Sequence, residues 1–482
     1  MTACLPMSRI AALGVWMILA FPAVALSAGP EIFLQEEPET YLLIDKLEGM
    51  GFLPGLMTDD RGLEAREVAG EADKVDDTGD PFADGMLRFL QLGAARRYDF
   101  RIRGGLEDSG DGRVPPNAQG WPVAEDGGLR FGGFLRASPT GWLAFQARGD
   151  FDWGFSGGDT GRLEETSVRI GFPQATLEAG RFSLWWGPGR HGSLLFTTNA
   201  EPLIGVRIRN PRPIPLGWWF RFLGLFQYDI FISRLNDDDR PVPDPLLSGV
   251  RIAVKPAPWL EIGASRVLQF GGEGRDESLS TFFDIFRGKS ESAGNTPEGN
   301  SLASIDGKIR LPFRRQPVVL YGEAGGEDQS GSGFPSRWAA MAGIFLPSIG
   351  NVRKADFRIE YGDIITSRRP VWYLHPEYPH RYRGQILGHH MGTDARDLFI
   401  EAHYFLLPSS YLELNVDITQ RSFPGPEREE TWRVGGAIVA WLTKNFRAEG
   451  RLTYESISNE NGVAGKDATD AVFQAALSYQ YR

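Results

Sequence analysis

Cysteine is almost missing from this chain. Its 482 residues include one, Cys4, so an intrachain disulfide and a thiolate metal cluster are excluded. Cys4 also precedes an apolar stretch instead of following one, which is not the placement of a lipidated cysteine. Long apolar runs are missing too. Beyond residue 28 no stretch of 18 apolar residues occurs, so no later helix is expected to span a bilayer. Positive charge is in the minority. Lys and Arg number 51 against 62 Asp and Glu, a formal net charge of −11. A nucleic-acid binder needs a basic face for phosphates, so no nucleic acid is expected as a partner.

What the chain does have is aromatic residues (12%), 59 Gly and 32 Pro, within a hydrophobic content of only 42%. Many aromatics and many turn residues without long apolar segments favour β structure. The N-terminus reads as a signal peptide over residues 1–28. Arg9 is its positive end, residues 10–26 its apolar stretch, and Ala23-Val24-Ala25 and Leu26-Ser27-Ala28 are small-residue cleavage signals. A β-rich exported chain without membrane helices still has one way to cross a bilayer. It closes its sheet and so satisfies every backbone group internally.

Residues 29–85 differ in pattern from the remainder. Tyr41, Ile44 and Leu47, with Leu43 and Met50, recur at helical spacing, and Gly49 and Gly51 stop the helix. A second short helix is expected within residues 59–68 and an acidic loop over 69–84. The unit is expected to be a small helical cap. Its apolar faces are too small to make a core alone. From residue 86 to 482 the pattern alternates, with a long first strand expected over residues 89–103. Leu143, Phe145, Ala147, Gly149 and Phe151 alternate with Gln146, Arg148 and Asp150. Similar paired runs lie at 250–255 with 259–266, 398–405 with 411–419, and 432–441 with 446–454. Short turns such as Pro256-Ala257-Pro258 and Thr443-Lys444-Asn445 join one set of ends, and long loops (104–128, 270–303, 367–395) join the other. The last strand alternates Phe473, Ala475, Leu477, Tyr479 and Tyr481. The fold class that follows is all-β: an antiparallel transmembrane β-barrel of about 18 strands with a small N-terminal helical plug.

Three motifs invite other readings. Gly154-Phe155-Ser156-Gly157-Gly158 has the spacing of a hydrolase nucleophile elbow, but a hairpin sequence follows it and not a helix. Gly187-Pro188-Gly189-Arg190-His191-Gly192 has dinucleotide-loop spacing, again without a following helical period. Four of the six histidines crowd together, at 375, 380, 389 and 390. None has a strong ligand spacing, and loop histidines commonly just face water, so no metal and no cofactor are expected. Leu279, Phe282, Phe283 and Phe286 have the spacing of a short amphipathic helix within a long outer loop, where packing of the loop is the preferred role.

Trp185-Trp186-Gly187-Pro188-Gly189, followed by Ser193-Leu194-Leu195, Asn199-Ala200 and Pro202, resembles the central signature of the Wzi family of capsule-assembly proteins. Segments in the same order resemble it further: 41–51, 263–274 with Phe270-Gly271-Gly272, 299–306, and Tyr321-Gly322 with Glu327-Asp328. The last extends from Glu360-Tyr361 through Tyr373, His375, Tyr378, Tyr382 and Arg383 to Leu387-Gly388-His389 and Gly392-Thr393-Asp394. One departure is Thr197-Thr198, where the family has serine-asparagine. The resemblance implies an 18-stranded barrel closed by periplasmic helices and folded outer loops. It implies a lectin role without catalysis, binding capsular polysaccharide or exopolysaccharide at the surface of a Gram-negative outer membrane.

Sugar binding needs aromatic faces for pyranose stacking and planar polar groups for hydroxyls. An acidic polymer adds a need for Arg or Lys. On these grounds the candidate saccharide-binding residues are Trp185, Trp186, Arg190, His191 and Asn199, with Trp372, Tyr373, His375, Tyr378, Tyr382, Arg383, His389 and Asp394. No catalytic residue stands out. The partners expected are the polysaccharide, outer-membrane lipid and the barrel assembly machinery. Two alternatives remain open at this level: a transport barrel, either porin or polysaccharide exporter, and a surface enzyme that modifies polysaccharide.

Overall fold

The computed structural model describes residues 38–94, 98–287, 299–311, 313, 315–329, 335–365, 372–422 and 427–481. The signal peptide expected over 1–28 lies outside them. Eighteen long antiparallel strands form the wall. They are β1 (Tyr98–Asp108), β2 (Gly128–Thr140), β3 (Leu143–Gly154), β4 (Thr160–Gly171), β5 (Thr176–Phe182), β6 (Leu203–Arg209), β7 (Leu225–Arg234), β8 (Leu246–Ala257) and β9 (Leu260–Phe270), then β10 (Gly299–Leu311), β11 (Val318–Gln329), β12 (Pro335–Leu346), β13 (Ala355–Asp363), β14 (Ala395–Leu407), β15 (Ser410–Ser422), β16 (Arg428–Trp441), β17 (Phe446–Ser458) and β18 (Ala468–Tyr481). A two-residue segment, Ile214–Pro215, extends the same sheet beside β7. Each strand pairs with its neighbour in sequence, and β1 pairs with β18 from Phe100↔Tyr481 to Asp108↔Phe473. The sheet is therefore closed and has no free edge.

The two-residue period decides which side is which. In β1 the side chains of Phe100, Ile102 and Leu106 point out, each about half exposed, whereas Asp99 and Glu107 are buried inside. β18 repeats this, with Phe473, Leu477 and Tyr481 outside and Ala476 and Gln480 inside. An apolar exterior around a polar interior is the transmembrane arrangement of a barrel. No helix among the described residues is long and apolar enough to cross a membrane.

Short turns gather at one end and long connections at the other, as the sequence pattern suggests. The short-turn end holds three helices, α1 (Pro38–Met50), α2 (Ala65–Ala72) and α3 (Pro81–Ala94). Leu43, Ile44 and Leu47 of α1 and Met86 and Leu87 of α3 share a core with Phe405, Tyr411 and Val439 of the wall. The helices thus borrow apolar surface from the strands. Ion pairs fix α1 to the wall: Glu39–Arg447 (2.9 Å), Asp45–Arg358 (3.2 Å), Lys46–Asp356 (3.2 Å) and Glu48–Lys255 (3.3 Å).

Two local expectations are corrected. The strand expected from residue 89 begins at Tyr98, because Phe89 and Leu90 complete α3, a helix that runs through the 85/86 boundary. Within the expected acidic loop at 69–84, α2 runs to Ala72 and α3 starts at Pro81, where Asp80 accepts from the Phe82 amide (2.9 Å) and supplies an N-terminal cap. The amphipathic spacing at 279–286 is a helix, α4 (Leu279–Phe286), with Ile285 buried beside Phe270 and Leu268.

Candidate functional site

Two connections from the long-loop end fold into the barrel instead of away from it. The first joins β5 to β6 and carries the Trp-Trp-Gly-Pro-Gly motif. Trp186 is fully buried, with edge contacts to Phe196 (5.1 Å) and Phe231 (5.5 Å), and its indole donates to Asp229 (3.0 Å). Asp229 in turn pairs with Arg207, which is buried in the wall. Gly187 sits at φ +141°, and a Cβ there would press on Ser193 and Glu323. Only glycine fits this turn. Inward carboxylates of the wall collect the loop's amides. Glu323 accepts from Leu194 (2.9 Å), and Glu360 accepts from Arg190 (2.6 Å) and His191 (2.9 Å).

The second connection, residues 372–394, lies against the first. His380 bonds to the Leu195 carbonyl (2.7 Å), and the Thr197 hydroxyl donates to the Gly388 carbonyl (2.7 Å). Thr197 therefore bridges the two loops at the position where the sequence departs from the family pattern. The plug reaches the same layer from below. The Gly187 amide donates to the Asp59 carbonyl (2.8 Å), and Arg61 lies over the Trp185 ring at 3.9 Å.

Alongside this packed layer is a cavity of about 850 Å³, whose lining runs from Tyr41 and Arg61 of the N-terminal segment to Glu460 and Asn461 of the β17–β18 connection. Trp121, Asn117 and Gln119 of the β1–β2 connection contribute to its lining, as do Trp185, Arg190, His191 and Asn199 of the motif loop. The wall supplies opposed charges: Arg148–Glu164 (3.0 Å), Arg451–Glu413 (2.9 Å) and Arg130–Asp152 (2.7 Å). Arg190 differs from these. Its guanidinium makes no hydrogen bond or ion pair among the described residues, although its backbone is anchored on Glu360.

The thirteen sequence candidates divide by place. Trp185, Arg190, His191 and Asn199 line the cavity. Trp186, Trp372, Tyr373, Tyr378, Tyr382 and His389 are buried in the packed layer of the two inward loops. Arg383 is exposed and pairs with Glu201 (2.9 Å), while His375 accepts from the Tyr378 amide (3.0 Å) within its own turn. Asp394, at φ +47°, accepts from the Ser422 amide through its carbonyl (3.0 Å). The expectation that the crowded histidines face water is corrected. His380 and His389 are buried, and the half-buried His390 keeps its side chain only 5% exposed, because their loop runs inward. Burial pushes His380 and His390 down to about 4, with Arg240 adding to the first and His191 to the second. Burial also opposes charge on His191, but Asp417, Asp397 and Glu360 outweigh it and hold its pKa up at about 9.

The sequence analysis missed the wall's contribution. Arg148, Glu164, Glu413, Arg433 and Arg451 sit at inward positions of alternating strands. Their only signal was a charged residue where a pore-free barrel could have held an apolar one.

Closure, apolar exterior and polar interior define an outer-membrane β-barrel that is plugged from one end and filled by its own loops at the other. The chain belongs to the family of the capsule assembly protein Wzi, whose model matches residues 110–472. A solved structure, that of Wzi from Escherichia coli, aligns over 93% of this chain and 99% of its own, at 24% identity and a TM-score of 0.76. That protein is described as an outer membrane protein involved in group 1 capsule assembly and as a carbohydrate-binding β-barrel. An uncharacterized 55.8 kDa protein in the cps region of Klebsiella pneumoniae is 33% identical over 263 residues, 54% of this chain. The match spans about half the length of that relative (51%).

Proposed function

We propose that this protein is a non-enzymatic lectin of the outer membrane, which holds capsular or exopolysaccharide at the cell surface by binding it in the internal cavity. The observation that carries this reading is the cavity itself, polar and reaching from the plug towards the long-loop end of the barrel. It combines amides (Asn117, Gln119, Asn199) with charged pairs and the unpaired guanidinium of Arg190. Amides and fixed charged side chains match saccharide hydroxyls, and a free guanidinium matches a sugar carboxylate with a two-point hydrogen bond. The polymer class is therefore acidic. The membership in a capsule-assembly family supports the same reading.

The plug argues against a transport barrel. Against a modifying enzyme, Glu164 and Glu413 are engaged by Arg148 and Arg451. The outward apolar belt is proposed to meet outer-membrane lipid. The alternating β18, with its outward aromatics, is proposed as the segment that the barrel assembly machinery reads.

The test is deletion of the gene in its host, with polysaccharide measured separately on cells and in the medium. Unchanged total polymer that moves from cells to medium is the expected result. Complementation with Arg190→Ala is expected to restore folded barrel in the membrane but less than half of the cell-bound polymer. Normal attachment in the deletion strain would sink the lectin reading.

A further inference from the structure

Beside the cavity, four side chains from four different segments converge. His191 comes from the β5–β6 connection, His390 from the 372–394 segment, Asp397 from β14 and Asp417 from β15. The nitrogen-to-oxygen separations are 3.4 Å (His191–Asp417), 3.8 Å (His191–Asp397), 3.6 Å (His390–Asp397) and 3.6 Å (His390–Asp417). These are poor hydrogen-bond geometries. His191 Nε2 and both ring nitrogens of His390 have no hydrogen-bond partner, although the His390 side chain is only 5% exposed. Leaving such groups unsatisfied in the interior is costly. Three of these separations match those between ligand atoms of a four-coordinate metal ion, and one ligand atom from each residue lies within 4.8 Å of the others. Bonds of about 2.0–2.2 Å to nitrogen and carboxylate oxygen put tetrahedral ligands about 3.3–3.6 Å apart.

We propose that His191, His390, Asp397 and Asp417 form a binding site for one divalent transition-metal ion of the zinc class. Two imidazoles and two carboxylates are a borderline donor set that favours such ions over calcium or magnesium, which take oxygen ligands. The surroundings hold the donors in place. The Thr419 hydroxyl donates to Asp397 (2.8 Å) and lies 3.3 Å from Asp417, and Arg433 donates to Asp417 (3.0 Å) while sharing its charge with Glu455. The His191 ring stacks flat on Phe399 of β14, at 3.7 Å and 1°. Outer contacts of this kind orient metal ligands. An ion here ties both inward loops to adjacent wall strands, at the edge of the saccharide cavity. A second acidic and histidine group, Glu401, His403 and Glu413, lies on the same strands. There, His403 Nδ1 already bonds to Asp356 (2.9 Å) and Glu413 pairs with Arg451 (2.9 Å), while His403 Nε2 faces Glu401 (3.8 Å) and Glu413 (3.7 Å), so this group has a single histidine and a carboxylate already neutralised by an arginine.

The experiment uses the full-length barrel purified in detergent and stripped with a chelator. Zinc is added back, excess is removed, and bound metal is counted by mass spectrometry. One equivalent is expected, with thermal unfolding shifted upward by the added zinc. Cobalt substituted at the same site is expected to show the visible absorption of a four-coordinate ion. His390→Gln and His191→Gln should each lower zinc affinity at least tenfold, whereas His403→Gln and His375→Gln should keep it. Two histidine variants guard against one that fails to fold, which heat-dependent gel migration would reveal. Absence of retained zinc in the folded wild-type protein overturns the proposal. So does unchanged affinity in both folded variants, or loss of zinc in His403→Gln alone. The lectin reading rests on polymer attachment and stands or falls separately.

Discussion

Trp186 shows how one side chain organises the interior. Its ring meets Phe196 and Phe231, and its indole reaches the Asp229 carboxylate that pairs with buried Arg207. Truncating it removes a large buried ring and one hydrogen bond to a buried carboxylate. Trp186→Ala should cost roughly 3–5 kcal/mol, read as a lower temperature for the shift in gel migration on heating. A shift of under a few degrees would show that the ring merely fills space. His380 makes a second, pH-dependent case. It lies between the Gln269 amide and the Leu195 carbonyl, near Arg240 and the Tyr373 ring. Its pKa falls on folding from 6.5 to about 4 through burial first and Arg240 next. A histidine depressed on folding contributes its full stability above pH 6.5 and loses it as pH falls towards 4. The loss is on the order of 3 kcal/mol at most. Hydrogen exchange in residues 372–394 is expected to speed up between pH 7 and pH 4.5, and His380→Gln should flatten that dependence. Equal acid sensitivity in the variant would point to another group.

At the scale of elements, the three N-terminal helices and the wall complete each other. α1 is held by ion pairs to β8, β13 and β17, and its apolar side shares a core with β14, β15 and β16. Removing residues 38–94 leaves Arg358, Arg447 and Lys255 without these partners. Each keeps one acidic neighbour on the wall (Glu360, Glu449 and Glu261), but the loss of a charge partner and of the apolar cover is destabilising, so water is expected to enter the space. The truncated barrel should insert into planar bilayers and conduct in steps, with a lower unfolding temperature, while the full chain stays silent. Stepwise conductance of the intact protein would contradict the plug. α4 has a smaller part. Ser278 accepts from the Thr281 amide to cap it (3.3 Å), and Ile285 and Phe282 close the outer ends of β8 and β9.

For the whole molecule, closure and filling answer different demands. The closed sheet lets the chain cross lipid, where every backbone group needs an internal partner. Filling occupies the interior that closure leaves. The plug rises from the short-turn end, two inward loops sit on it, and the cavity runs beside them from the plug outward. The polysaccharide distribution after gene deletion tests the molecule at this scale, because it depends on the barrel being in the membrane and facing outward. If total polymer falls instead of moving to the medium, the protein acts in production and not in retention.

Alternation along the chain was enough to assign the wall, because a strand's side chains change sides at every residue and a one-residue slip would turn the apolar belt inward. The short turns, the long loops and the matching last strand follow from the same local rule. The first strand was misplaced because Phe89, Leu90 and Leu92 suit a helix face as well as a strand, and short apolar runs do not separate the two. The motif loop was legible as a unit from its glycines and tryptophans, but its use was not. Of two adjacent tryptophans, Trp185 lines the cavity and Trp186 is buried in the packed layer. Irregular backbone has no period to say which way a side chain points. Its direction is set by partners far along the chain, such as Glu360 for the Arg190 and His191 amides and Asp397 and Asp417 near the histidine rings. Membership, barrel and sidedness were therefore present in the order of the residues, while the cavity and the four-residue cluster exist only once closure brings distant strands and inward loops together.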